Sequence, residues 1–288
     1  MKLSTKKTIQ GWSLAAPALI GVFLFYIYPF FHTFLYSVTD AVNNSNYVGF
    51  KNYAELFESS AFRLALFNTA RFYIAALPLI LIVPFLAASW VRKHSRNSHL
   101  LKQSIFFSIL LPSASLMLFV DFICGKSGFI SNWMGDEIDI YNSPWAFALL
   151  ILLYLYKYGG FNFFIYTVAL QRIDKSYYEE AYINGASRFQ CFRHVTLPFL
   201  LPYAAIVLAL SVMNSYKIYR EAYLIGGYYP HESIYLFQHY INNNFTHMNY
   251  SRLCCVSIVI LVSALAAALL IFGIHKLTER ILYDKRHR

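Results

Sequence analysis

"YYEEAYINGASRFQCFRHVTLPFLLP" occupies residues 177–202, between two long apolar stretches. A short polar loop would suffice to join them, yet this segment mixes aromatic, charged and small residues around a glycine. After Asp174, "KSYYEEAYINGASRF" predicts a short helix. Asp174 or Ser176 can cap it, and Glu179 and Glu180 in its first turn suit the positive end of the helix dipole. Gly185 costs about 1 kcal/mol relative to Ala in a helix interior, so it is expected to divide the segment into two helices at a turn. Ala181, Ala186 and Ser187 leave little bulk around that break. A second helix, "SRFQCFRHV", sets Phe189, Phe192 and Val195 three residues apart. Leu197-Pro198 is expected to end it, because proline cannot continue a helix and disfavours αR in the residue before it. Residues 177–196 thus read as a helix–Gly–helix elbow at a membrane face. From the residues alone it is either an amphipathic helix resting on lipid or a knob for a groove in a partner.

The rest of the chain decides the fold class. Of 288 residues, 58% are hydrophobic and 13% charged, whereas a soluble domain carries about a quarter charged residues. Crossing hydrocarbon takes roughly 20 apolar residues, and runs of that length lie near 12–37, 67–90, 104–124, 145–170, 200–225 and 253–275. The expectation is an all-α integral-membrane protein, residues 1–288 forming one domain with six transmembrane helices. Six spans put both termini on one side. That side receives sixteen Lys and Arg (Arg92, Lys93 and Arg96 among them) and the other seven, so both termini are expected in the cytoplasm. The net charge of +10 follows this topology and does not call for nucleic acid. Lys2, Lys6 and Lys7 precede an apolar run that continues through Phe34 without a cleavage site, so it reads as a retained span. Cys124, Cys191, Cys254 and Cys255 lack metal-ligand or disulfide-framework spacing and read as small buried hydrophobes.

The elbow resembles the coupling-helix signature of binding-protein-dependent ABC importer permeases. In that signature Glu-Ala-Ala is followed after three residues by Gly, with Leu-Pro beyond. Glu179, Ala181, Gly185, Ala186, Phe189 and Leu197-Pro198 fall in the expected places. Glu180 stands where the family has Ala, and Asn184 where it has Asp. The likeness continues in "PALIGVFLFYIYPFFHTFLYSVTD", "FNTARFYIAALPLILIVPFLAASW" and "NSYKIYREAYLIGG", which resemble spans of the carbohydrate-importing branch, the maltose, glycerol-phosphate and multiple-sugar type. The resemblance implies the type I importer transmembrane fold. It also implies ATPase coupling through Glu179, Ala181, Asn184, Gly185, Ala186 and Phe189. The implied partners are a second homologous permease, two ATPase subunits and an extracellular solute-binding protein, with lipid around the spans. ATP and magnesium are expected on the ATPases, with no metal or cofactor on this chain, and no catalytic residues. The only approach to a P-loop is Gly125-Lys126-Ser127, with Val120 where its first glycine should be, a chance match.

Charges inside the spans are the remaining signal. Lys157 sits about 12 residues into the fourth span, roughly 18 Å deep at 1.5 Å per residue. A lysine there must face protein or water. Two readings stand: it bonds backbone carbonyls of a broken helix, or it lines a solute pathway. Lys217, Arg220 and Glu221 fall in the outer third of the fifth span. Lys217 and Glu221 can pair at i, i+4, or the charges snorkel to the headgroups. With Tyr216 and Tyr219 beside them, this segment is the expected solute-facing wall, since tyrosine can stack on the apolar face of a sugar. The competing class is an ion-coupled secondary transporter or an intramembrane enzyme. The first commonly shows inverted repeats and intramembrane acids, and the second needs a convergent acid–base or metal set. The sequence shows no convincing internal repeat and no such set, and only Asp121 and Glu221 lie within spans, both near the outer edge.

The charge asymmetry predicts an orientation. In a cysteine-free background, cysteines at Asn44 and Asn243 should react with impermeant thiol reagents in intact cells, and one at Ser95 should not. The opposite pattern would invert the topology.

Overall fold

Hydrocarbon offers no partner to a free backbone N–H or C=O, so a spanning segment must satisfy its own polar groups, and a helix does so within itself. The structure is a computed structural model that describes residues 2–40, 46–93, 111–135, 138–247 and 250–286. Its regular elements are helices, short helical turns and one isolated bridge between Thr39 and Tyr47. In chain order they are α1 (Lys2–Val22), α2 (Tyr28–Ser37), α3 (Lys51–Glu58), α4 (Ser60–Lys93), α5 (Ser113–Cys124), α6 (Phe129–Met134) and α7 (Trp145–Gln171). There follow α8 (Lys175–Ile183), α9 (Arg188–Cys191), α10 (Leu197–Ser215), α11 (Tyr219–Gly226), α12 (Phe237–Thr246) and α13 (Tyr250–Arg286). Six stretches are long and apolar enough to cross a membrane, and they correspond to the six expected spans. The fifth is longer than expected, running over Arg188–Gly226. The start of the third span (104–110), the basic stretch holding Arg96, and Asn44 and Ser95 lie outside the described residues.

That longer fifth span corrects the reading of Leu197-Pro198. The helix does not end there: Leu197 keeps αR geometry, with φ −61° and ψ −46°. Phe192–Thr196 forms a π-helical turn in which the Leu197 N–H reaches back to the Phe192 carbonyl. The same device recurs at Phe23–Ile27, where the Tyr28 N–H bonds to the Phe23 carbonyl just before Pro29. A proline lacks the N–H and crowds the carbonyl four residues back. One wide turn immediately upstream absorbs both demands, so the chain stays helical through the proline.

The chain packs as two compact units, residues 1–63 with 241–263 and residues 64–240 with 264–288. In the first, Ser37 is the hub. Its hydroxyl donates to the Phe34 carbonyl at 2.7 Å and accepts from Tyr53 at 2.8 Å, while its carbonyl accepts from Asn52 Nδ2 at 3.0 Å and Cys255 Sγ at 3.3 Å. Ser37 is fully buried, so α2, α3 and α13 are tied around an otherwise costly polar group.

The second unit has two apolar clusters. One gathers Phe72, Ala76 and Ile80 of α4, Leu116 and Val120 of α5, Leu150 and Tyr154 of α7, and Ile218, Ala222 and Ile225 around α11. The other gathers Ala88 and Val91 of α4, Phe163, Tyr166 and Leu170 of α7, and Leu200 and Val207 of α10. In lipid, burial from water gives little association energy, so close packing must supply it. At Gly159 a Cβ would stand 3.8 Å from both Ile80 Cδ1 and Pro84 Cγ, ordinary contact distance, so α4 and α7 come about as near there as an alanine would allow. All four cysteines are free thiols; Cys191 and Cys255 are buried, while Cys124 and Cys254 are only half-buried. Asn243 is also buried, at 7% exposure, and makes a poor labelling site. Phe245, 63% exposed on the same helix, is the better one: a cysteine there should label in intact cells, and protection until permeabilisation would reverse the orientation.

Candidate functional site: the Gly185 elbow and an intramembrane charge cluster

The elbow forms from its own sequence. Asp174 caps α8, its carboxylate accepting from the Ser176 N–H at 3.0 Å, and these hydrogen bonds hold its pKa below the ordinary value. At the other end the Gly185 N–H bonds to the Tyr182 carbonyl at 3.0 Å and the Ala186 N–H to the Ala181 carbonyl at 2.9 Å. This pair of bonds is the Schellman motif, which needs a left-handed residue between helix and exit. Gly185 supplies it with φ +76° and has open space around its missing Cβ, so the constraint is conformational, not steric. Asn184 adds a bond from Nδ2 to the Glu180 carbonyl at 2.9 Å, which the Asp expected there could not donate. Ser187 then opens α9 with a capping box, its hydroxyl accepting from the Gln190 N–H while the Gln190 side chain accepts from the Ser187 N–H.

Two capped helices therefore meet at a fixed corner, and its outer surface is bare. Ile183 is 86% exposed and Phe189 68%, with Tyr182, Glu179, Asn184 and Gly185 also exposed and Ala181 and Ala186 half-buried. The inner surface is anchored. Tyr178 packs into the cluster of Ala88, Phe163 and Leu200, Tyr177 meets Phe199 at 5.4 Å between ring centroids, and Phe192 meets Phe85 at 6.0 Å.

Higher in the spans, the structure pairs charges that lie 64 residues apart in sequence. Lys157 of α7 donates to Glu221 of α11, and the Ser113 hydroxyl at the start of α5 accepts from Lys157 while donating to Glu221 Oε1 at 2.7 Å. Glu221 is fully buried and the Lys157 side chain is 15% exposed. This corrects two sequence readings. Glu221 does not pair with Lys217, which donates to Asn214 Oδ1 at 3.3 Å, and Lys157 bonds side chains in place of broken-helix carbonyls. Nearby, α7 is tied to α10 at Ser211, whose carbonyl accepts from the Tyr154 hydroxyl at 2.6 Å and whose hydroxyl accepts from Asn162 at 3.0 Å.

The expected solute wall divides. Glu221 turns inward, whereas Lys217 and Arg220 are exposed and Tyr216 and Tyr219 half-buried. Tyr216 packs against Tyr73 at 5.9 Å between centroids, and Tyr219 against His239 at 4.8 Å and Tyr223 at 5.8 Å. Sequence reading missed Asn68, Thr69 and His239, which fold the segment after α11 back onto α4. Asn68 Nδ2 donates to the Glu232 and Tyr235 carbonyls, and Thr69 Oγ1 accepts from the Phe237 N–H at 3.3 Å. Burial pushes His239 down to about 4, so the ring is neutral and its Nδ1 accepts from the Leu236 N–H at 3.1 Å. Polar residues on the buried side of apolar α4 were the available signal for Asn68 and Thr69.

Comparison with known proteins agrees with this architecture. The profile of the family described as binding-protein-dependent transport system inner membrane component matches residues 80–282. The arabinooligosaccharides transport system permease protein AraP of Bacillus subtilis is 27% identical over 234 residues, covering 76% of this chain and 72% of that one. The lactose transport system permease protein LacF of Rhizobium radiobacter is 26% identical, covering 75% of each. Among solved structures, a chain of a bacterial alginate ABC transporter in complex with alginate pentasaccharide-bound periplasmic protein superposes with a TM-score of 0.80 at 20% identity, over 98% of both chains.

The charge cluster yields a stability prediction. Glu221→Ala leaves Lys157 buried and unpaired, which costs about 3–5 kcal/mol. The double change Lys157→Met with Glu221→Leu removes both charges and should be milder than either Glu221→Ala or Lys157→Met alone. Thermal unfolding midpoints of the detergent-purified protein measure the difference, and a double variant below both single variants would contradict the pairing.

Proposed function

Because the chain belongs to the family of binding-protein-dependent transport system inner membrane components, we propose that it is the permease subunit of an ATP-driven importer that carries a carbohydrate, specifically an oligosaccharide, into the cytoplasm. The choice of solute is supported by relatives named for arabinooligosaccharides, lactose and starch degradation products. The subunit sits in the cell membrane with both termini cytoplasmic, as the lysine and arginine asymmetry argues. It pairs with a second permease, takes solute from an extracellular binding protein and rests on two ATPase subunits that hold ATP and magnesium. The proposed cycle is alternating access: closure of the ATPases moves the elbow, the spans rotate to open outward, and hydrolysis resets them.

One observation carries the coupling role: an internally rigid, doubly capped elbow whose exposed face is apolar at Ile183 and Phe189. A helix that only rests on lipid has no need of a fixed left-handed corner, whereas a knob loaded mechanically does. In this reading Glu179, Ala181, Asn184, Gly185, Ala186 and Phe189 form the ATPase seat. Tyr216, Tyr219, Lys217 and Arg220 are the solute-side candidates, and Lys157 and Glu221 neutralise each other behind them.

Gly185→Leu should leave the protein inserted yet abolish uptake of the solute carried by the copurifying binding protein, because Leu opposes the positive φ. Normal uptake with normal ATPase retention would remove the docking role. Glu179→Ala should cost about 2–5 kcal/mol of docking if a basic ATPase group is left buried opposite it. Glu180→Ala, at the rim, should cost under about 1 kcal/mol. ATPase copurification reads both, and equal or reversed effects would shift the register of the motif by one. Proteoliposome uptake driven by an ion gradient without ATP would favour the secondary-transporter alternative instead.

A further inference from the structure

The elbow is also gripped from behind. Arg92, near the end of α4, donates from Nη1 to the Tyr178 hydroxyl and from Nη2 to the Ile173 carbonyl, both at 3.3 Å. Its guanidinium lies 5.1 Å from the centroid of the Tyr178 ring. The Tyr178 hydroxyl in turn meets Thr196 Oγ1 at 2.8 Å. Ile173 and Thr196 are buried, and Thr196 is the last residue of the π-helical turn at the foot of α10. One guanidinium, one phenol and one hydroxyl therefore join α4, α8 and the base of α10 at a single point.

We propose that Arg92, Tyr178 and Thr196 form a positioning strut that passes displacement of the elbow into α4 and into the π turn below α10. The proposal rests on the reading of the elbow as the ATPase seat and adds the residues that transmit the load. Apolar contacts between helices slide with little directional penalty, but hydrogen bonds weaken steeply as they misalign. The planar guanidinium fork holds two acceptors in fixed relation, which a lysine ammonium does not. A π turn holds an extra residue relative to the α register, so it is the place where the phase of α10 can change without breaking the helix. Above it, Ser211 links α10 to α7, and α7 carries Lys157 to Glu221 of α11. The strut is the first of a series of directional contacts between the elbow and the solute-side residues.

The test uses the whole importer, reconstituted with its ATPases and partner permease. It compares ATP hydrolysis with and without the cognate binding protein, purified carrying its native ligand. Tyr178→Phe keeps the ring and its guanidinium contact but removes the hydroxyl, and Thr196→Val keeps the shape of the side chain but removes its oxygen. Both should retain the ATPase subunits while stimulation by the binding protein falls roughly three- to tenfold, the factor that one lost hydrogen bond represents. Thr196→Ser, which restores the hydroxyl, should recover wild-type stimulation, and Arg92→Lys should not. A merely structural role would lower basal and stimulated hydrolysis together and overturns the proposal, as does loss of the ATPase subunits in both variants. Wild-type stimulation in Tyr178→Phe and Thr196→Val, with Gly185→Leu still uncoupled, removes the strut and leaves the elbow intact. Wild-type behaviour in all three removes the elbow reading as well.

Discussion

A bilayer leaves no backbone hydrogen bond to chance, and this constraint organises the protein. Among the described residues the spanning segments are helices, the third interrupted by a turn at Gly125–Gly128, and the prolines at 29 and 198 are accommodated by widening one turn without opening the helix. Departures from regular helix include two π turns, a 3₁₀ turn at Tyr216–Ile218 leading into the half-exposed tyrosines, and the left-handed corner at Gly185. The last of these lies where the chain leaves the apolar layer, and there the backbone is satisfied by caps on both sides.

The same constraint explains how charge is handled inside the spans. A lone lysine at the depth of Lys157 would be expensive, and its neutralisation needs a partner from another helix because nothing acidic lies within reach on α7. Glu221 meets that need, with Ser113 as the bridging hydroxyl. The result is a polar contact that draws α5, α7 and α11 together at one level. Replacing such a pair by apolar residues is often neutral or stabilising in soluble proteins, so its presence is better explained by the geometry it fixes than by net stability. Lys217 and Arg220 stay exposed, Lys217 donating to Asn214, while Lys157 is committed to Glu221.

What could be read in the sequence was what is local. The Asp174 cap and the break at Gly185 are each decided within four residues and form as the spacing predicts, while the Ser187 capping box, equally local, went unread. The spans were legible because length and apolarity suffice to define them. Long-range choices were not. The i, i+4 geometry allowed Lys217 to take Glu221, yet α11 turns that carboxylate toward α7, a decision made by packing of Ile218 and Ala222 in the core and invisible along the chain. Leu197-Pro198 was misread because the proline rule describes a lone helix, and a π turn upstream lifts the prohibition. Arg92 looked like one more inward-side basic residue, since its acceptors on Ile173 and Tyr178 come from a segment 81 and 86 residues away.

The central claim, that the exposed face of the elbow is seated in an ATPase subunit, is met most directly by placing a photo-crosslinking side chain at Ile183, which is 86% exposed and outside every cap and anchor. In intact membranes the account predicts an adduct between this chain and the ATPase that is lost when Gly185 is replaced by Leu. Adducts to lipid alone, or an ATPase adduct that survives Gly185→Leu unchanged, would contradict it.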